Sequence, residues 1–85
     1  MPDLTIELRK SCSSGPLCTG EHTICLIHGP ARRCVSSDTG IFRFTQQTAG
    51  VYNITCDDKP TNPGTVTVPP VGVPLKMCVT SDCCD

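Results

Sequence analysis

The sequence predicts a small disulfide-rich domain, all-β or β-rich, built of antiparallel hairpins with room for one short helical turn. Three observations carry that prediction. Eight of the 85 residues are cysteine, at Cys12, Cys18, Cys25, Cys34, Cys56, Cys78, Cys83 and Cys84, an even number at the density of a disulfide scaffold. Core material is thin, with no Trp, one Tyr (Tyr52) and two Phe (Phe42, Phe44), and the core of so short a chain supplies only ~3–5 kcal/mol. Short alternating runs rich in β-branched residues are divided by Gly, Pro and Ser clusters, and no stretch of helical length sustains a 3.6-residue period.

Residues 1–85 make one domain, in which four bridges at ~2–4 kcal/mol each would supply what the core lacks. Such bridges persist in oxidising surroundings, so the expected localisation is secreted, extracellular. The opening "MPDLTIELRK" has no apolar run of signal-peptide length. A secreted protein would therefore be represented here by its mature form, with Met1 added.

The first element is "LTIEL". Leu4, Ile6 and Leu8 share one face and Thr5 and Glu7 the other, the pattern of a half-buried strand. "SCSSGPLCTGE" follows with turn chemistry around Cys12 and Cys18, the place for one helical turn.

"TICLIHGPARRCV" then reads as a hairpin. Gly29 suits the first central position of a type II′ turn, and Pro30 takes the negative φ of the second. That turn pairs His28 with Ala31, Ile27 with Arg32, Leu26 with Arg33 and Cys25 with Cys34. The last is a non-hydrogen-bonded pair, whose closer Cα atoms permit a cross-strand bridge. The alternative is that both cysteines share a face and bond elsewhere, because spacing does not settle connectivity.

"IFRFTQQTAGVYNITC" reads as a second hairpin, with Phe42 and Phe44 on one face, Tyr52, Ile54 and Cys56 on one face, and "QQTAG" as the loop. These residues are the main core candidates. From 57 to 74 the chain is Pro-rich. "TVTV" within it suits a strand, and the flanking prolines make it an edge segment or an extended loop. "LKMCV" ends the series, with Leu75, Met77 and Val79 on one face and Cys78 on the other.

The final stretch "MCVTSDCCD" holds three cysteines. Cys83 and Cys84 should reach two different partners, because a bond between neighbours closes a strained ring. The tail thereby becomes a clasp on earlier parts of the chain.

Little in the sequence points to catalysis, and an enzyme is not expected. The cysteines are consumed as bridges, and His22 and His28 form no recognisable constellation with the carboxylates. No metal is expected either. The gaps between successive cysteines are five, six, eight, twenty-one, twenty-one, four and zero residues, unlike the paired short spacings of zinc ligands. No cofactor is implied. The net charge of −1, without a basic block, offers no electrostatic case for nucleic acid, and no run is long enough for a membrane span.

Binding is the function class left: that of an effector, toxin or signalling ligand acting on an extracellular macromolecule. Arg32 and Arg33, beside Cys34 on a hairpin, are candidate binding residues, and a rigid hairpin loses little entropy on association. One alternative is a serine proteinase inhibitor whose Arg32–Arg33 hairpin enters an acidic specificity pocket. Another is a self-associating structural protein, a homodimer through edge strands. Asn53-Ile54-Thr55 is an N-glycosylation acceptor, with Asn53 directed away from the Tyr52, Ile54 and Cys56 face.

In size, in eight cysteines spread along the chain and in low aromatic content, the sequence resembles small secreted cysteine-rich proteins, including effector-like proteins of fungi. The resemblance implies a role at an extracellular protein or cell-surface partner.

Overall fold

The computed structural model describes residues 2–84; Met1, read above as an added start, lies outside them. Seven strands follow in chain order: β1 (Leu4–Leu8), β2 (His22–His28), β3 (Ala31–Ser37), β4 (Ile41–Phe44), β5 (Gly50–Cys56), β6 (Lys59–Val68) and β7 (Leu75–Ser81). They form one sheet in the order β3-β2-β5-β6-β7-β1-β4. Only the β1–β7 pairing is parallel. The sheet rolls until its two end strands, β3 and β4, come alongside each other without a ladder between them. The all-β, disulfide-rich class is therefore the one observed.

One core fills the roll. Leu4, Ile6 and Leu8 are buried while Thr5 and Glu7 are only partly covered, as period-2 alternation requires. Phe42 and Phe44 are fully enclosed, and Tyr52, Ile54 and Cys56 are buried with them. Val79 is fully buried, and Leu75 and Met77 pack against the same cluster.

The β2–β3 hairpin forms in the expected register, His28 opposite Ala31 through Cys25 opposite Cys34. Gly29 has φ +58°, the positive value that the first position of a II′ turn needs and that a residue with Cβ resists.

The second expected hairpin does not form. β4 pairs with β1, placing Leu4 opposite Phe44 and Ile6 opposite Phe42, while β5 lies between β2 and β6. Gly50, expected in the loop, is the first residue of β5 and pairs with Val68. Residues 45–49 instead cross toward the N-terminus, where Gln47 N–H donates to Pro2 O (2.9 Å) and Gln46 N–H to Asp3 Oδ1 (2.9 Å). The apolar edge of β1 is the better partner for the two Phe side chains, and such a choice is invisible to local pattern.

The hairpin that does form is β5–β6. Asp57 and Asp58 occupy its turn at φ +50° and +65°, between the closing pair Cys56 and Lys59. Two positive φ values in a two-residue turn are the type I′ signature, which Asp tolerates better than most residues. Within the Pro-rich segment, Thr65–Val68 pairs with β5 alone, while Thr61 and Asn62 also pair with Ser81 and Thr80 of β7. β6 is thus an edge along one half and interior along the other. Pro63 falls in the stretch where the β5 register shifts between Asn53 and Thr55, and Pro60 sits opposite Thr55, next to the closing pair, in a non-hydrogen-bonded position; neither place asks β5 for a proline N–H.

No helix occurs among the described residues. Around Cys12 the chain closes a single helical turn, with Gly15 N–H donating to Ser11 O at 2.8 Å. The sulfurs join Cys12 to Cys78, Cys18 to Cys84, Cys25 to Cys34 and Cys56 to Cys83, leaving no free cysteine among the described residues. The cross-strand option at Cys25–Cys34 is the one taken, with Cα atoms 4.0 Å apart. Three of the four bridges clasp the last strand and tail.

Candidate functional site

The candidate site lies where the rolled sheet stays open. β3 and β4 are joined by residues 38–40 at one end, so they start together and diverge toward Ala31 on β3 and Thr45 beyond β4. Between the diverging ends is a cleft of about 330 Å³ with Leu26 and Tyr52 at its floor, Arg32 and Arg33 on one wall and Gln46 and Gln47 on the other.

The two arginines divide between the faces of β3, as strand geometry dictates for neighbours. Arg33 shares the face of Leu26, its cross-strand partner. Its guanidinium crosses the gap, donating through Nη1 to Thr45 O and through Nη2 to Thr45 Oγ1, the latter at 3.1 Å. Arg32 lies on the outer face. Its Nη2 is 3.3 Å from Asp58 Oδ1, and its Nε and Nη2 sit 3.5 Å from Cys34 Sγ and 3.6 Å from Cys25 Sγ. The Arg32 and Asp58 side chains are 54% and 86% exposed, so this pair is weak and easily exchanged.

The cleft wall is held from behind. Tyr52 donates its hydroxyl to Thr48 O at 2.8 Å and lies 2.6 Å from Thr48 Oγ1. His28 stands over Gly50, with Nδ1 2.9 Å from Val51 O and its ring centroid 5.2 Å from that of Tyr52. Gln47 is buried, and no buried side-chain polar atom among the described residues lacks a partner. The cleft therefore offers a preformed apolar floor, a cation and amide walls.

Sequence reasoning had selected Arg32 and Arg33 but missed Thr45, Gln46, Gln47, Thr48 and the floor position of Tyr52. The polar run "TQQT" was the only signal, and it reads equally as a hairpin loop.

A second cluster lies on the outer face. His22 Nδ1 is 2.7 Å from Asp57 Oδ2, and Asp57 Oδ1 accepts the Thr23 N–H at 2.9 Å. The hydrogen bond to His22, aided by the one from Thr23, holds the Asp57 carboxyl below the usual range. One ligand atom each of His22, Asp57, Cys56 and Cys83 lies within 4.8 Å of the others, but the two sulfurs are bonded to each other. As built, the cluster fastens the β5–β6 turn onto β2. Likewise Glu7 accepts from Lys76 (3.0 Å) and Arg9 (3.1 Å), which lowers its pKa. Asn53 is exposed on β5, between Ile27 and Thr65 of the flanking strands.

Fold and bonds together define a small, disulfide-framed, all-β protein. No family model, curated protein or solved structure matches the chain. No helix among the described residues is long and apolar enough to cross a membrane.

Proposed function

We propose that this is a secreted binding protein, without catalytic activity, that engages an extracellular macromolecule through the cleft between β3 and residues 45–48. The observation that carries the reading is the cleft itself: a gap the fold leaves open, floored by Leu26 and Tyr52 and bordered by two arginines on a disulfide-pinned hairpin. Four disulfides in so small a chain are typical of extracellular proteins. The frame keeps the hairpin ordered before binding and so reduces the entropy lost on association.

The inhibitor alternative is less well supported. Arg32 and Arg33 lie within a strand rather than on a projecting loop, and Arg33 is held at Thr45. The absence of catalysis is supported by the bonding of every described cysteine and by the exposed, structural use of the His22–Asp57 pair.

The test is binding of fluorescently labelled protein to intact cells and extracellular matrix. Saturable binding, competed by unlabelled protein and lost in an Arg32→Glu/Arg33→Glu variant that keeps its native spectrum, supports the reading. Unsaturable binding, or binding unchanged in that variant, ends it. Asn53 is the proposed glycan site. Secretion from a eukaryotic host should yield a product whose mass falls by one glycan in Asn53→Gln.

A further inference from the structure

The unpaired edge of β3 deepens this reading and rests on it. The Gly29–Pro30 turn makes His28–Ala31 a hydrogen-bonded pair, so Arg32, Cys34 and Ser36 fall in non-hydrogen-bonded pairs with Ile27, Cys25 and Thr23. In such pairs N–H and C=O point away from the partner strand. No second strand takes them up, because β4 forms no ladder with β3. At the Ser37 end, residues 38–40 and β4 stand in the way. At the Ala31 end Arg32 and Cys34 are exposed, and Ala31, Arg32 and Arg33 border the cleft.

We infer that this edge receives an extended, acidic peptide segment as an added strand, antiparallel or parallel to β3, with one side chain entering the cleft beside Arg33. Two features select that occupant. The first is charge: the strands bordering the seam carry Arg32, Arg33 and Arg43 and no acidic residue. Arg43 is exposed and in no ion pair among the described residues. Main-chain hydrogen bonds would give affinity, and a carboxylate on alternate positions would give selectivity.

The second feature is register, which disfavours a second copy of this chain. With only Arg32 and Cys34 accessible, a two-fold antiparallel pairing of β3 with its counterpart centres on Arg33. It sets that arginine opposite its own equivalent, and like charges directly opposite repel.

The probe is a blocked six-residue peptide of alternating glutamate and valine, titrated into ¹⁵N-labelled protein and followed by amide shifts, hydrogen exchange and translational diffusion. The expected result is saturable binding, with the Arg32 and Cys34 amides slowed in exchange at least tenfold. A lysine-for-glutamate peptide should fail to bind. A peptide N-methylated at alternate amides should bind at least tenfold more weakly, because it keeps the charge but loses the ladder. An Arg32→Gln variant, less disruptive than charge reversal, should weaken binding several-fold while leaving the free spectrum native.

Equal binding of the N-methylated peptide, or no protection at Arg32 and Cys34, overturns the inference. So does concentration-dependent slowing of diffusion without peptide, which makes a second copy the occupant. If peptides fail while saturable cell binding persists and still depends on Arg32 and Arg33, strand addition falls and the cleft reading survives. Loss of both removes the site altogether.

Discussion

Arg33 on β3 and Thr45 beyond β4 are joined across the open seam, with Nη2 3.1 Å from Oγ1 and Nη1 on the Thr45 carbonyl. This contact is side chain to main chain and side chain, in the place where a closed barrel would have a ladder. It is a latch across the seam between the two end strands of the sheet.

The latch predicts a thermodynamic coupling. Arg33→Ala should lower unfolding free energy by about 1 kcal/mol, the net worth of an exposed charge-assisted bond. Thr45→Ala removes only the hydroxyl partner and should cost less. In the Arg33→Ala background Thr45→Ala should be nearly silent. Urea titration of the four proteins measures this cycle. Additive costs would show that the two residues do not communicate.

The bridges Cys12–Cys78 and Cys18–Cys84 are interlaced, each with a sequence separation of 66. Their first members are six positions apart in the chain, and so are their second. With one bond intact, the other closes a loop of only about 12 residues, worth ~3 kcal/mol by chain entropy. Serine replacement of either pair should therefore cost ~3 kcal/mol. Removing both should exceed the sum by about 1 kcal/mol, because the long loop is then released. Denaturant midpoints of the three variants decide this.

Gly40 has φ +83°, and a Cβ there would stand 2.9 Å from Cys18 O and 3.2 Å from Leu8 O. Both neighbours are backbone, and Leu8 N–H donates to Gly40 O at 2.8 Å. Gly40→Ala should destabilise by ~1–3 kcal/mol, from left-handed strain together with displaced backbone. A thermal midpoint within a degree or so of the parent would contradict this packing.

Acid should weaken the fold through Glu7 and Asp57. Their carboxyls lie below ordinary values of 4.5 and 3.8 in the folded protein. The stability they contribute is complete above those values and is lost as pH falls through the lowered, folded-state ones. Glu7→Gln and Asp57→Asn should therefore be less stable than the parent near neutrality, with the gap closing toward about pH 2. Unfolding midpoints from about pH 6 to about pH 2 test the sign. A gap that widens on acidification would refute these ion pairs.

How much was legible follows from the range of each signal. The β2–β3 hairpin was readable to the residue because a Gly-Pro turn sets register within a few positions. The buried faces of β1 and β5 were readable because alternation is local. The β4–β5 hairpin was misread because adjacency in sequence was taken for adjacency in the sheet. The Asp57–Asp58 turn was missed because it lacks the glycine of the Asn-Gly and Asp-Gly pairs that mark a I′ turn. Of the candidate site, Arg32 and Arg33 were visible, while the wall at Gln46 and Gln47 was not.

By itself, the sequence determined the class of fold, the covalent means of holding it and the register of one hairpin, since cysteine count, period-2 alternation and turn chemistry all act over short stretches. Tertiary structure alone decided which strands neighbour one another, which sulfurs meet and where the sheet stays open. Those outcomes depend on how seven strands share one small core, a competition among distant segments that leaves no mark in any local window.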